Sequence, residues 1–448
     1  MREVKPIKKT DLGETVMPIL GFWGPPDAYK SGEWNLPDLK TDQIYQWIKE
    51  AGFNTLLQGN DMWPKKKESV EKTLDLCEKH NLFYYVAVPE LTRFKAYHAQ
   101  DAEFSPATEQ EIEEMITPFI GREGCIGLDI IDEPLPKALS EVGDFLKKYK
   151  NVLKKLDLND KEYFINLLPV SPFVSNPPSI EGWQDYLQSY LDNVTKDYIG
   201  YDNYPFQTPG ISKDNISPGL YNHLEGLIEI IDKNGGNIPM SFCAVTGGHW
   251  TEEADNPSSR TPSPEELEWE VNTVLAFGVK RLVYFTLCNP HSYLKYMPHG
   301  QTGIFNPDGT KSKLYHAVRR CNEQVQAVDE YLLKAKNKQV IFVGDVPTRV
   351  EYRYKDHIND KDSQYMELVW VEGEGVIIGC FEYNGKSAFY VVNTYKKEQT
   401  VTLHFNGRKE MRLVKRNDGA RKTIAQDLAL KLGKGEATLV IVDNWLRL

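Results

Sequence analysis

The feature that most constrains this 448-residue chain is an alternation, repeated eight times, of short apolar runs with longer stretches of helical periodicity. The runs are MPILGFW (17–23), FNTLLQG (53–59), LFYYVAV (82–88), CIGLDIIDEP (125–134), EYFINLLPV (162–170), DYIGYDNYPF (197–206), IPMSFCAV (238–245) and KRLVYFTLC (280–288). Between them lie amphipathic patterns such as SVEKTLDLCEKHN, where Val70, Leu74 and Cys77 share one helical face. A final helical stretch, KLYHAVRRCNEQVQAVDEYLLK, closes the series. Parallel strands need a crossover, usually a helix, so alternating units predict a parallel sheet. Near-continuous apolar runs fit strands covered on both faces. Eight units predict closure into a (β/α)8 barrel. The turn after the first run, GFWGPP, has no G-x-G-x-x-G spacing. Its bulky and proline residues oppose the close backbone approach a dinucleotide needs, which excludes a Rossmann fold.

Beyond about Asn337 the texture changes to short β-branched runs divided by N-G, G-K and N-D-G turn signals. FEYNGKSAFYVVN reads as a hairpin about Asn384–Gly385. The expected organisation is therefore a barrel over residues 1–336 and an antiparallel β-sandwich over 337–448.

With 53 basic and 64 acidic residues the chain carries a formal charge of −11, which repels a phosphate backbone and excludes nucleic acid as a partner. The six cysteines form no C-x-x-C pair, so zinc and dithiol chemistry fail, and their apolar settings predict free thiols of a reducing compartment. His249, His291 and His299 are not at metal-ligand spacing, so no metal or other cofactor is expected. No Gly-x-Ser-x-Gly elbow is present, which argues against serine hydrolysis. No apolar run is long enough to span a bilayer, and MREVKPIKKTDLGE has no apolar stretch behind its charges. A cytoplasmic protein is expected, or a secreted one if a signal peptide has been removed. Nothing in the sequence sets an oligomeric state.

A barrel of this kind places its active site at the C-terminal ends of the strands. The polar residues ending each run are therefore the candidates: Trp23, Asn60, Asp61, Glu90, Asp132, Glu133, Asn166, Asp202, Asn203 and Tyr204. His249 and Trp250 follow the seventh run, and Asn289 and His291 the eighth. A mouth rich in acids, amides and aromatics, with little Lys or Arg, suits a neutral, hydroxyl-rich ligand. The expected partner is an oligosaccharide or other glycoside. Trp and Tyr would stack on sugar C–H faces, Trp250 as a platform and His249 as a hydroxyl partner; packing beneath the loop is the alternative for Trp250.

The sharpest motif is Asp132-Glu133-Pro134 after an apolar strand. Adjacent carboxylates repel each other, which is costly for structure but keeps one of them protonated near neutral pH. A glycosidase needs that property in its general acid. An acid capping a proline-containing first helical turn is the structural alternative.

This motif resembles the Asn-Glu-Pro or Asp-Glu-Pro signature of clan A glycoside hydrolases, and the resemblance implies that Glu133 is the acid/base. Tyr201-Asp202-Asn203-Tyr204-Pro205 is similar to the D-x-Y-P ending of strand 6 in related barrel hydrolases. Pro262-Ser263-Pro264-Glu265-Glu266 with Leu275-Ala276-Phe277-Gly278 and Val283-Tyr284-Phe285 resembles the stretch leading into their eighth strand. The β-sandwich resembles the one appended to many of them. The resemblance implies hydrolysis of oligosaccharides without naming the sugar.

One departure matters. Retaining members of that clan carry a nucleophilic Glu at the end of strand 7, whereas the seventh run here, IPMSFCAVTGGHW, holds no acid. Asp202 is the expected second carboxylate, as nucleophile or as base for water, or else a loop anchor; Glu252 is a weaker candidate, in a loop with Glu253. Two alternatives stay open. One is substrate-assisted hydrolysis of an acetamido sugar, which the spaced acids Asp129, Asp132 and Glu133 with Tyr201 loosely resemble. The other is a carbohydrate-binding barrel without catalysis.

Overall fold

The protein is described by a computed structural model covering residues 16–31, 34–57, 63–97, 106–207, 209, 217, 219–246, 260–288, 303–346 and 367–445. Each of the eight apolar runs holds one strand: β1 Ile19–Phe22, β2 Thr55–Leu57, β3 Phe83–Ala87, β4 Cys125–Asp132, β5 Glu162–Asn166, β6 Ile199–Asp202, β7 Met240–Val245 and β8 Val279–Phe285. The helices are α1 Asp42–Glu50, α2 Lys67–Lys79, α3 Glu109–Ile120, α4 Leu139–Lys155, α5 Ile180–Asn193, α6 Gly219–Lys233, α7 Pro264–Ala276 and α8 Tyr315–Leu332. All strand pairs are parallel, in the order β5-β4-β3-β2-β1-β8-β7-β6.

The sheet closes between β5 and β6 by one isolated bridge, Leu167 to Tyr201, with the Leu167 amide donating to the Gly200 carbonyl at 3.0 Å. Two residues earlier on β5, the Tyr198 hydroxyl stands in for a backbone partner. It accepts from the Ile165 amide at 2.6 Å and donates to the Ile165 carbonyl at 3.1 Å. The result is a nearly closed barrel.

Alternation sends Leu20, Phe22, Leu57, Tyr85, Phe164 and Val283 into the barrel lumen, where they pack as a separate core. The lumen is polar at its floor, where Arg281 pairs with Glu162 at 3.2 Å and Tyr85 donates to the same carboxylate at 3.0 Å. Both charges are buried, which is tolerable because they neutralise each other. The larger core lies between the outer strand faces and the helices.

Helix starts are written in the sequence. Thr108 and Glu111 form a capping box on α3, and Ser263 and Glu266 form one on α7. Arg260 adds a bidentate pair to Glu266, with both contacts at 2.7 Å. The Pro-Ser-Pro-Glu-Glu stretch thus owes its pattern to the demands of a helix N-terminus. Every residue of α7 from Glu266 to Ala276 is buried, as expected of a helix covered on all sides.

What covers its second side is the C-terminal domain. Its strands are β9 Lys336–Val343, β10 Leu368–Glu372, β11 Val376–Tyr383, β12 Lys386–Val392, β13 Gln399–Lys415, β14 Gly419–Leu432 and β15 Ala437–Trp445. They form one antiparallel sheet, β9-β11-β12-β15-β13-β10, with β14 paired to β13. The sheet folds over itself because β13 runs through both layers. Its first half pairs with β10 and its second with β15, the register breaking between His404 and Lys409. Ile341, Ile378, Phe389, Leu403, Met411 and Val440 fill the space between the layers. The Asn384–Gly385 hairpin is present, both residues at positive φ (50° and 73°), as a type I′ turn requires.

The outer face of β11 and β12 sits on α7. Asn272 donates to the Gly435 carbonyl at 2.8 Å and accepts from the Tyr390 hydroxyl at 2.6 Å. A Cβ on Gly379 would lie 2.2 Å from the Ala276 carbonyl oxygen, so the sheet approaches the helix closely. Gly379→Ala is therefore expected to cost about 1–3 kcal/mol in urea unfolding. A loss within about 0.5 kcal/mol, the range of an indifferent surface change, would contradict this close seating.

Candidate active site

The C-terminal ends of β4, β5 and β6 bring together a crowd of carboxyl groups. β4 ends at Asp132, and Glu133 follows with φ at +50°, a conformation uncommon outside glycine. Pro134 then stiffens the exit. The Glu133 amide donates to the Asn166 carbonyl at 2.9 Å, which ties the turn to β5. Trp23, just past β1, is also held at positive φ, 53°. Backbone of this kind persists where its surroundings impose it, and such outliers gather at functional sites.

Asn166 faces two acids at once. Its side-chain amide donates to Asp132 at 3.0 Å and to Asp202 at 3.2 Å. The Tyr204 hydroxyl also bonds to Asp202, which is only 2% exposed. Asp132 and Glu133, by contrast, are open to the mouth although surrounded by protein. The Asp202 charge acts on Glu133, so the two carboxyls form an interacting pair. Ionising both in so poorly solvated a site is costly, which favours one of them keeping a proton.

Burial is the first cause pushing every acid of this group upward. Glu133 is raised by burial and then by the charges of Asp202 and Asp132. Asp202 is raised by burial and then by Asp132, against the opposing bonds from Tyr204 and Asn166. Asp132 rises through burial, which the Asn166 bond partly offsets. Asp129, within β4, is raised well above the carboxylate range by burial and by Asp132. Cys243 on β7 stands opposite Asp202 in the sheet register, and its thiol is driven up by burial and the same acids. The site holds protons at neutral pH.

On the β3 side of Glu133 lies a cleft of about 560 Å³, walled by Lys65, Glu90, Arg93, Phe94 and Tyr97. The Tyr97 hydroxyl accepts from the Leu135 amide at 2.7 Å, fixing the ring beside the acid turn. Elsewhere in the mouth, Trp23 packs against Phe285 with ring centroids 4.7 Å apart, and Tyr204 lies 5.7 Å from the same ring. These three rings form an aromatic patch at the strand ends.

Of the residues singled out from sequence, Glu133, Asp132, Asp202, Asn166 and Tyr204 are brought into one cluster. Trp23 joins the aromatic patch, and Glu90 stands on the cleft wall, 3.6 Å from Lys65. Asn166 is 8% exposed, its amide engaged by the acids. It is placed to orient carboxyls rather than to meet a sugar. Asn203 is buried, its amide 2.5 Å from the His223 ring, and serves as a structural tie. Asn60, Asp61, His249, Trp250, Glu252, Glu253, Asn289 and His291 lie outside the described residues. Sequence reading missed Tyr97, Arg93, Lys65 and Phe285. Lys65 and Arg93 sit in loops and Tyr97 in a single 3-10 turn, all without periodic signal, and Phe285 reads as one more apolar strand residue. The mouth also departs from the expectation of few basic residues, since Lys65 and Arg93 line the cleft. Among the described residues no group of three or more His, Cys, Asp or Glu is arranged to hold a metal ion. No helix among them is long and apolar enough to cross a membrane.

No family model matches the chain, and the comparison with curated proteins gave no match. Solved structures to which it is similar are glycoside hydrolases of several families. A family 30 subfamily 8 xylanase, Xyn30A from Clostridium acetobutylicum, is 10% identical over 96% of this chain and 97% of the other, with a TM-score of 0.48. A glucosidase from Croceicoccus marinus is 9% identical over 99% and 98%, with a TM-score of 0.46. For a β-galactosidase from the psychrophilic Marinomonas ef1 the figures are 11% identity and a TM-score of 0.45 over 70% of this chain. The chain spans 60% of that enzyme's length. At such identities the likeness is one of fold, and the chemistry must be read from this protein's own side chains.

The raised carboxyls make stability depend on pH. Because the pKa of Asp129 is higher folded than unfolded, the folded protein keeps a proton that the unfolded chain releases. Stability therefore falls as pH rises from the unfolded value, about 3.9, toward the folded one. Asp129→Asn removes this penalty. Its melting temperature should match wild type near about pH 4 and exceed it at about pH 8. A pH-independent difference between the two proteins would contradict a protonated Asp129.

Proposed function

We propose that this protein is a glycoside hydrolase in which Glu133 is the general acid/base and Asp202 the second carboxylate. The observation that carries the reading is the gathering of these two carboxyls, both raised, around Asn166 at the mouth of the barrel. Glycoside hydrolysis asks for one protonated acid to serve the leaving oxygen and one ionised partner facing the anomeric carbon. A pair sharing one proton meets that requirement at neutral pH. The donors Asn166 and Tyr204 both favour ionised Asp202, which leaves the proton on Glu133. Glu133 is also the member open to the mouth, where it can donate to a glycosidic oxygen.

A separation of about 5 Å between the acids gives retention and about 6.5–9.5 Å inversion. The spacing adopted with substrate bound decides whether Asp202 attacks carbon or activates water. The Trp23, Tyr204 and Phe285 rings supply stacking surface for a sugar. Substrate-assisted hydrolysis of an acetamido sugar is the second reading. It is favoured by β7, which runs to Val245 and Thr246 without an acid at its end.

A panel of aryl glycosides tests the proposal. Glu133→Gln is expected to lower turnover by about 10²–10⁴-fold, the usual worth of a general acid. Undiminished turnover would sink the assignment. Azide should rescue Asp202→Gly if Asp202 is the nucleophile, whereas a strict acetamido requirement selects the second reading. The rate should fall as pH rises through the elevated pKa of Glu133 and fall again in acid as Asp202 gains a proton, the two limbs belonging to the pair. Specific sugar binding with no turnover on any glycoside would identify a binding barrel instead.

A further inference from the structure

The cleft beside Glu133 contains two cations that a neutral sugar does not require. Arg93 is exposed on the wall, and its Nε donates to the Glu90 carbonyl at 2.9 Å. That bond pins the guanidinium. No described hydrogen bond or ion pair engages its two Nη groups, and its influence on Glu111 is a charge effect without contact. Lys65 meets Glu90 at 3.6 Å, longer than a hydrogen bond, while the Glu90 Oε2 atom is buried without a partner. On this side the wall carries two cations and the single carboxylate of Glu90, with Asp132 and Glu133 on the opposite side of the cleft.

A fixed planar fork with unused donors is suited to a carboxylate, which accepts two parallel hydrogen bonds. The other lining groups suit a sugar ring. Phe94 and Ile131 are apolar, Tyr97 brings a hydroxyl, and the volume of about 560 Å³ holds one or two pyranosides. We infer that this cleft is a subsite for a carboxylate-bearing sugar, a uronic acid residue, gripped by Arg93 with Lys65 as the second cation. The inference rests on the glycosidase reading for its place in a reaction, but the binding it asserts can be measured without turnover.

Saturation-transfer NMR on the wild-type protein would compare D-glucuronate with D-glucose and D-galacturonate with D-galactose. The acid of at least one pair is expected to bind about tenfold or more tightly than its neutral partner, the discrimination that charge-assisted hydrogen bonds supply. The preference should weaken as salt is raised. Arg93→Ala should abolish it, Arg93→Lys should restore only part because it keeps charge without the fork, and Lys65→Met should reduce it less. Thermal melting of each variant checks that the fold is retained. In kinetics, Arg93→Ala should raise KM for aryl uronides with little change in kcat. Equal binding of acid and neutral sugars, or binding of neither, overturns the subsite whether or not the protein hydrolyses anything. Hydrolysis of neutral glycosides without preference for uronides overturns it too, while leaving the glycosidase proposal standing.

Discussion

One side-chain amide organises the mouth of this barrel. Asn166 gives both protons of its NH₂ group to acids on either side, and its backbone carbonyl receives the amide of Glu133. Asp132, Glu133 and Asp202 are all oriented from this one residue. Without those donors, adjacent carboxyls in a poorly solvated pocket could lower their energy only by taking up protons. With them, charge is better tolerated at Asp132 and Asp202. The ionisation of the site is thus set by hydrogen-bond supply as much as by the acids themselves.

That arrangement is expensive for the fold, and the rest of the structure bears the cost. Four raised carboxyls oppose folding at neutral pH, yet the strands that present them are held by a filled lumen and by an outer core that continues from the barrel into the C-terminal sheet. α7 links the two parts. Its Glu268 side chain bonds to Arg320 on α8 and to Arg416 of the C-terminal domain, so the sheet braces the barrel from the side away from β4. Partly buried pairs with well-formed geometry resist solvent screening better than exposed ones.

The barrel was legible in the sequence because its signal is repetitive. Each strand is an apolar run and each helix a periodic stretch, so no single residue had to be read correctly. Glu133 stood out for a different reason, since an acid next to an acid at a strand end makes little structural sense. Asn166 was visible as a strand-end polar residue, but its task was not. A donor between two carboxyls depends on β4, β5 and β6 lying side by side, and pairing across the sheet is not written in local sequence. The same holds for Lys65 and Arg93, which enter the cleft through loop geometry alone. Glu266, by contrast, was read within a family pattern and proves to be half of a capping box, a local motif with a mechanism of its own.

The join between β5 and β6 has a consequence of its own. Around the rest of the wall, neighbouring strands are stitched by ladders of backbone bonds, whereas here one backbone bridge is supplemented by the Tyr198 hydroxyl and the Asn166–Asp202 side-chain bond. Opening costs least where the fewest bonds must be broken. Asp202 sits on one lip of this seam and Asn166 on the other, with Glu133 fastened to the Asn166 side. Any widening of this seam would therefore also widen the gap between the two acids.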